Sequence, residues 1–305
     1  MAVYTGTAND WKDLVAELRD AAVLEGWTEL DYDTDGDDEV SDILYLEGPG
    51  ITMDEKVYVQ IRTHAVVDDL FYGWEGRCAV AFSPGLDFEN QPGVSPATYM
   101  NLDDATINYT FYINDGRIII IARISTFVMS MYLGFFLPFA NPTEYPYPLY
   151  AFGSNASIKR YTNVVNQDRG LAGPGENCAY VRAAGGAWTP VWNYNDNASF
   201  EVPHDANGYS LWPLYTGQAS SASDISHNID LRPPQGETDA HAFWPVHIFG
   251  SDVGLGIIGV LDGVFYGPNA ILNTSDTVDV GADTYTIYQS INRAGTTNFF
   301  YIKEE

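Results

Sequence analysis

An acidic loop near the start of the chain has the residue types and spacing of a calcium site. A loop of the D-x-D-x-D-G-x5-E type is matched in spacing by Asp31, Asp33, Asp35, Gly36 and Asp42. In such loops alternating carboxylates point inward and the glycine permits a sharp turn. Here an aspartate replaces the final bidentate glutamate, and the residues that follow have the pattern of a strand. The loop is therefore either a calcium site, with Asp31, Asp33, Asp35 and Asp42 as ligands, or a solvated acidic turn.

No arrangement of catalytic residues is evident in the sequence. The five histidines are too scattered to define a catalytic triad or a zinc site: His64, His204, His227, His241 and His247. A glycosidase needs two carboxylates flanking a cleft, but 41 acidic residues make almost any pairing available. There is no phosphate-binding glycine loop, nucleophile elbow or thiol–histidine motif. We therefore predict that the chain is not an enzyme and assign no catalytic residue, with an envelope-acting glycosidase as an alternative.

Aromatic residues offer a second alternative, a carbohydrate-binding receptor module. Aromatic rings stack on the apolar faces of sugars, and an exposed patch of Trp188, Trp192 and Tyr194 would be the binding surface. Such aromatic residues equally serve as core or as subunit interface.

The charge of the chain restricts its partners. The 41 acidic and 14 basic residues give a formal net charge of -27. Phosphate backbones and anionic membranes are repelled by such a surface, so we predict no direct nucleic-acid binding. The segment 124–140 is uncharged but short for a span and interrupted by Gly134 and Pro138, and this predicts no membrane insertion. The only two cysteines, Cys78 and Cys178, are expected to be reduced and buried.

The secondary-structure signals predict an α+β chain that is predominantly β. Thr7 and Asp10 have the spacing of a capping box that opens a helix with an apolar face, and Gly26 is placed to end it. The turn Asn114–Gly116 favours positive φ and lies between two β-rich segments, which predicts a central hairpin. We expect an N-terminal helix packed on an antiparallel sheet, and a C-terminal β-sandwich or barrel-like module.

Composition changes along the chain predict three segments. Residues 1–155 are expected to form an N-terminal α+β domain that contains the central hairpin. Residues 156–239 are irregular and loop-rich, with a serine- and proline-containing stretch at 215–236. Residues 240–305 have the short strands and glycine turns of a C-terminal β module.

Several short motifs follow one another in a characteristic order towards the two ends of the chain. They are Tyr72–Trp74, Gln91–Gly93, Tyr109–Arg117, Ser125–Thr126, Tyr132–Phe135, Tyr145–Leu149, Gly153–Ser154, Leu261–Val264 with Tyr266, Asp276–Val278, Asp283–Tyr285 and Asn292–Arg293. Their order resembles a family of virion structural proteins from tailed bacteriophages. The resemblance covers most of residues 1–160 and 240–305, and the middle matches poorly. Two departures from the family pattern are Gly73, where a polar residue is expected, and the isoleucine-rich strand after Arg117.

This resemblance implies a structural part of the phage tail, in the baseplate, at the junction of tube and baseplate, or in the neck. It implies localisation to the virion after synthesis in the host cytoplasm. The partners it implies are further copies of the chain in a threefold or sixfold ring, together with tube, sheath or baseplate subunits. It implies no required cofactor, and calcium at the acidic loop is the one candidate ion.

Overall fold

The protein is predominantly β-stranded, as the sequence predicts. The structure, a computed structural model, describes residues 1–34, 42–51, 55–66, 71–158, 171, 177–192, 209–212, 244–250, 256–267, 273–289 and 299–304. In chain order its elements are β1 (Ala2–Ala8), α1 (Asp13–Leu24), β2 (Thr28–Asp33), β3 (Ile43–Gly48), β4 (Val57–Val66), β5 (Phe71–Ala79), β6 (Thr98–Leu102), β7 (Ile107–Asn114), β8 (Arg117–Ile124), β9 (Phe127–Phe135), β10 (Leu137–Pro138), β11 (Leu149–Gly153), β12 (Ala179–Arg182), β13 (Trp188–Trp192), β14 (Tyr209–Trp212), β15 (Trp244–Gly250), β16 (Gly256–Tyr266), β17 (Thr277–Val280), β18 (Asp283–Gln289) and β19 (Phe299–Lys303).

The strands form two sheets. β2 to β6 make a five-stranded antiparallel meander in which each strand pairs with the next along the chain. The other fourteen strands make one long sheet in the order β1-β7-β8-β9-β11-β12-β13-β14-β15-β16-β19-β18-β17, with β10 paired to β16. Within it β13 and β14 are parallel, and the other pairs are antiparallel. This sheet takes strands from all three segments that the composition distinguishes.

The central hairpin lies between two hydrophobic cores. Asn114 Oδ1 accepts hydrogen bonds from the backbone N–H groups of Gly116 (3.0 Å) and Arg117 (2.9 Å), which fixes the turn. Along β8, Ile118 and Ile120 enter one core, while Ile119 and Ile121 enter the other. Because successive side chains of a strand point to opposite faces, a run of four isoleucines is what a strand buried on both faces requires. The predicted hairpin is confirmed, and its strand β8 is buried on both faces.

The first core lies between α1, the five-stranded sheet and one face of β7, β8 and β9. Its fully buried members include Leu14 and Leu18 of α1, Trp74 of β5 and Met131 of β9. The Trp74 indole N–H donates to the Trp11 carbonyl at 2.7 Å, so its one polar group is satisfied inside the core. This core holds the five-stranded sheet against the long one.

The predicted start of the helix is wrong in one respect. Thr7 does not open the helix, because it lies in β1 and pairs with Asn108 of β7. Asp10 acts alone: its Oδ1 accepts from the N–H groups of Lys12 and Asp13, both at 2.8 Å. Thr7 fits both a local capping pattern and a strand that pairs with a segment far along the chain. In the fold it belongs to the strand.

The end of α1 follows from backbone geometry. Gly26 has φ of +85°, where a side chain would be strained. The Trp27 N–H donates to the Ala22 carbonyl (3.0 Å) and the Gly26 N–H donates to the Val23 carbonyl (3.1 Å). These two bonds form a Schellman motif, which closes the helix.

A buried ion pair joins the central hairpin to the C-terminal strands. Arg117 is 1% exposed, and its Nε donates to Asp262 Oδ2 of β16 at 3.0 Å. Asn114 Nδ2 donates to the same carboxylate oxygen at 2.6 Å. Gly263, with φ of +72°, leaves the space that the guanidinium occupies, since a Cβ there would lie 2.5 Å from Arg117 Nη2. We call Asn114, Arg117, Asp262 and Gly263 the junction.

The second core contains two neighbouring tyrosines with different hydrogen bonding. Tyr132 and Tyr150 are both fully buried, and their rings meet edge to face at 5.4 Å. The Tyr132 hydroxyl donates to the Phe135 carbonyl at 2.5 Å. The Tyr150 hydroxyl has no hydrogen-bond partner in the part of the chain that the structure describes. An unpaired buried hydroxyl destabilises a fold, so these two residues form a natural comparison.

Loss of the Asp262 carboxylate is expected to destabilise the protein strongly. Asp262→Asn leaves the guanidinium of Arg117 buried without its counter-charge, which costs about 3 kcal/mol of unfolding free energy. The matched control is Asp283→Asn, which removes the same charge from the solvent-exposed pair with Lys303 and is expected to change the free energy of unfolding far less. Urea unfolding of both variants measures this difference, and equal losses would contradict the role given to the junction.

The tyrosine pair predicts opposite effects of the same substitution. Tyr150→Phe removes an unpaired buried hydroxyl and raises the free energy of unfolding by up to about 1 kcal/mol, whereas Tyr132→Phe removes a buried hydrogen bond and lowers it by about 1 kcal/mol. Thermal or urea unfolding of the two variants checks the signs. A loss of stability in Tyr150→Phe would mean that its hydroxyl is bonded.

Candidate functional site

The outer face of the five-stranded sheet carries polar side chains in register. Inward-facing Leu44, Val59 and Ile61 belong to the first core, so their alternating neighbours on β3 and β4 face outward. Two cross-strand rows result. One contains Asp31, Tyr45, Gln60 and Arg77, and the other contains Asp33, Ile43, Arg62 and Glu75.

A loop between β5 and β6 lies over this face. Gln60 Nε2 donates to the Phe88 carbonyl at 2.6 Å, and the Arg62 guanidinium lies 4.7 Å from the centre of the Phe88 ring. The loop is held internally by Gln91, whose Oε1 accepts from Ser83 N–H (2.8 Å) and whose Nε2 donates to the Leu86 carbonyl (2.8 Å). Phe88 is only 3% exposed, so the loop is anchored by a buried ring and a buried amide.

A buried carboxylate stands at the centre of the charges on this face. Glu75 is 1% exposed, and its Oε2 accepts from Arg62 Nη2 at 2.8 Å and lies 3.2 Å from His64 Nε2. Its Oε1 accepts from Arg77 Nε at 2.6 Å. Arg62 extends the network outward through Nη1, which lies 2.5 Å from Glu89 Oε1 of the loop.

The pKa of Glu75 reflects this environment. Burial is the largest influence and raises the pKa, but the hydrogen bond with His64 and the charges of Arg77 and Arg62 together outweigh it and lower the pKa to about 2. The carboxylate is therefore ionised at neutral pH. Glu75 holds the side chain of Arg62 in place, and Arg62 in turn contacts the Phe88 ring of the loop.

Beside the loop the same face forms a pocket of about 390 Å³, which we call the acidic pocket. Its position between strand and loop gives it two acidic rims, one on β2 and one on the loop, with strand β3 between them. Four carboxylates and one guanidinium give the lining a formal charge of −3. The lining residues are Asp31, Asp33, Ile43, Tyr45, Arg62, Asp87, Phe88 and Glu89.

Tyr45 lines the acidic pocket and is packed between aromatic rings. The residue is only 9% exposed, and its ring packs against Phe82 (5.0 Å between centroids) and Phe88 (6.1 Å). Burial raises the pKa of Tyr45 to about 12, and the nearby carboxylates of Asp31 and Glu89 add to the effect.

The residues of the predicted calcium loop do not all lie together. Asp31 and Asp33 face the acidic pocket from β2. Asp42 is buried on the other side of the sheet, where the Tyr32 hydroxyl donates to its Oδ2 at 3.4 Å. Asp35 lies outside the described residues. No three His, Cys, Asp or Glu side chains in the described ranges are grouped to hold a metal ion. The calcium site stays a prediction.

Other residues singled out by the sequence serve the fold where they are described. The Trp188 indole donates to the Gly93 carbonyl at 2.9 Å, and its ring packs against the first core. The side chain of Trp192 lies outside the described part, as does Tyr194. His64 contacts Glu75, His247 lies in β15, and His204, His227 and His241 are not among the described residues.

The thiols and the uncharged segment are placed as follows. Neither Cys78 nor Cys178 forms a disulfide and both are buried, as predicted, and burial raises the pKa of the Cys78 thiol. Residues 127–135 of the uncharged segment form strand β9. In the described parts of the chain, no helix has the length and apolar character needed to cross a bilayer.

Sequence reasoning missed the acidic pocket, although one signal points to its floor. The alternation of Val57, Val59 and Ile61 places Gln60 and Arg62 on the outer face of β4, and a buried partner for Arg62 could have been sought there. The contribution of the loop has no such signal, because Phe88 reaches β4 only through tertiary contacts.

Comparison with known proteins gives no assignment. No protein-family model matches the chain, and no curated protein is significantly similar to it.

Replacement of Glu75 is expected to lower the free energy of unfolding by an amount that depends on pH. Because the pKa of Glu75 is lower in the folded state than its ordinary value of 4.5, its contribution to stability is present above pH 4.5 and is lost as the pH falls towards 2. Glu75→Gln therefore costs about 3 kcal/mol at neutral pH, and the difference from wild type shrinks below pH 4.5.

Urea unfolding at a series of pH values between about 3 and 7 measures this effect. The control is Glu89→Gln, which removes a 44% exposed partner of the same Arg62 and costs less than about 1 kcal/mol. A cost for Glu75→Gln that does not change with pH would refute the assigned ionisation.

Proposed function

We propose that this chain is a non-catalytic structural protein of a tailed-phage virion, an oligomeric component of the tail at the baseplate, the tube-to-baseplate junction or the neck. The observation that carries the proposal is the convergence of its recognisable motifs. Motifs from residues 109–135 and from residues 261–264, which are far apart in the chain, meet at the junction. Their side chains are used for packing and pairing, as expected of an assembly part.

The glycine positions of these motifs support the same interpretation. Gly134 has φ of +136°, and a Cβ there would lie 2.4 Å from the Gly116 carbonyl oxygen. Gly263 makes room for Arg117 in the same region. Such positions tolerate only glycine because two backbones or a backbone and a buried cation approach closely. The motif residues thus specify how the hairpin docks onto the C-terminal strands.

For the fold we propose two building units. The first is α1 packed on antiparallel strands, and the second is a C-terminal sandwich or barrel-like module formed by the strands after residue 240. In support, β18 and β19 place Tyr288 and Phe300 in the second core while Tyr285, Ile287 and Tyr301 form a separate cluster. Strands with apolar side chains on both faces belong to layered or closed β structures.

We propose that the chain assembles with further copies of itself, in a threefold or sixfold ring, and with tube, sheath or baseplate subunits. An exposed aromatic residue suits such an interface. Phe139 is 64% exposed, follows the 38% exposed Leu137, and is held by its N–H donating to the Ile258 carbonyl at 2.8 Å. Prolines at 138, 142, 146 and 148 stiffen the segment that presents it. A rigid aromatic anchor of this kind is typical of interface hot spots.

The charge fits this role. A net charge of −27 keeps unassembled copies apart in the host cytoplasm and repels DNA if the protein lines a passage in the virion. Nucleic acid and membrane are therefore not among the proposed partners, and no cofactor is required.

The mass of the purified chain in solution, followed by electron microscopy of the particles, tests this proposal. Closed rings or stacks are expected, and Phe139→Ser should weaken self-association at least tenfold, because a buried phenylalanine contributes about 2 kcal/mol. The control is Leu24→Ser at the 73% exposed end of α1, which should leave association unchanged. A monomer at all concentrations, alone and with phage tail proteins, would overturn the assembly role.

A further inference from the structure

We propose that β1 pairs edge to edge, antiparallel, with β1 of a second copy of the chain, so that two long sheets join across a twofold axis. This inference does not depend on the proposed role in the virion. Three properties of the outer edge of β1 support it: its unpaired backbone groups, the absence of the features that protect the other edge strands, and the absence of charge.

The outer edge of β1 presents backbone groups without a partner. Asn114 and Arg117 flank a two-residue turn and so form a hydrogen-bonded pair, and from there every second residue of β7 bonds to β8. The residues of β7 between them bond to β1 instead. Alternation along β1 then directs the N–H and C=O groups of Val3, Thr5 and Thr7 away from β7. No residue in the described ranges bonds to these groups, and another strand presents matching groups at the same spacing.

The other three strands at the ends of the two sheets are protected. β2 has a bulge between Glu29 and Asp31 and contains three acidic residues. The edge of β6 is occupied, because the Asn155 N–H donates to the Tyr99 carbonyl (3.0 Å) and its Oδ1 accepts from the Asn101 N–H (2.8 Å). β17 is only four residues long and contains an aspartate. Bulges, charges, covering segments and short length are the usual features that prevent an edge strand from pairing with another molecule.

β1 has none of these protective features. Its seven residues, Ala2–Ala8, pair with β7 in consecutive register without a bulge, and none of them is charged. Thr5 and Thr7 are exposed. Gly6 would weaken a strand, but the ring of its cross-strand partner Tyr109 lies over it and takes the place of a side chain. The edge is therefore regular along its whole length and preformed for pairing.

The absence of charge favours a second copy as the partner. With a net charge of −27, two copies repel each other over most of their surfaces. An antiparallel pair centred on Thr5 places Thr5 opposite Thr5 of the second copy and Val3 opposite Thr7, so no like charges meet. Cross-strand pairs of threonines and of β-branched residues stabilise a sheet. In this register all three outward-facing residues form hydrogen-bonded pairs with the second strand.

This contact differs in kind from the contact of the proposed ring. A twofold contact uses the same surface on both molecules, whereas a ring joins two different surfaces of each molecule. The two contacts can therefore be tested separately.

Sedimentation equilibrium of the full chain tests the proposal. The Phe139→Ser variant is measured beside the wild type, so that the proposed ring contact does not contribute. A reversible dimer with a Kd of about 1 to 100 µM is expected in this variant, because an interface of one strand pair is small. If the wild type forms the same dimer and nothing larger, the ring fails while the β1 contact stands. A Phe139→Ser variant that is monomeric even at about 1 mM would overturn the β1 contact.

Thr5→Pro removes the outward N–H at the centre of the pair. Pairing with β7 should persist, since an edge strand accepts proline where the N–H does not bond within the sheet. The dimer should weaken at least tenfold, because each copy loses one hydrogen bond. The matched control is Thr277→Pro in β17, where the N–H also points away from the neighbouring strand, and it should change the Kd less than twofold. Equal effects of the two substitutions would contradict the proposal.

Charges placed at Thr5 test the register without relying on proline. Thr5→Glu and Thr5→Lys should each weaken the dimer at least tenfold, because the twofold axis sets like charges opposite each other. An equimolar mixture of the two variants should associate as well as the parent chain, because opposite charges then meet. A mixture that associates no better than either variant alone would overturn the pairing of β1 with itself.

Discussion

Burial of β8 on both faces is the constraint on which the rest of the structure depends. Its four consecutive isoleucines need two separate layers to cover them, and the chain supplies one from each end of the sequence. The five-stranded sheet and α1 cover one face, while strands that follow residue 178 cover the other. Burial of a side chain of this size contributes about 2 kcal/mol, so neither layer is dispensable.

The two buried ionic clusters have different tasks in this architecture. Arg117 and Asp262 join the hairpin to the C-terminal strands, where two apolar surfaces alone would not fix the relative register. Glu75 acts within one sheet, and through Arg62 it sets the position of the loop that walls the acidic pocket. Buried charges stabilise little in net terms, but removal of one partner is costly, and this favours a single arrangement.

Short sequence patterns predict those parts of the fold that depend on residues close together in the chain. The isoleucine run follows from side-chain period and the end of α1 from the backbone preference of Gly26, and both are present. The predicted Asn114–Gly116 turn is present too, but none of its residues has positive φ, and the Asn114 side chain fixes it instead. Thr7 was misread because its partner Asn108 is 101 residues away, and a capping pattern carries no information about such a pairing. In the candidate site Asp31 and Asp33 were identified from their spacing, whereas Tyr45, Phe88 and Glu75 join them only through cross-strand register and a folded-back loop.

The pairing of β1 with β7 has a consequence for the order of folding. Strands β2 to β6 pair with their immediate neighbours in sequence, so their contacts close short loops and form quickly. β1 can pair only after the whole meander and β7 have been synthesised, because its partner β7 follows the meander in the chain. During synthesis on the ribosome β1 therefore remains unpaired until β7, about a hundred residues further along the chain, has emerged.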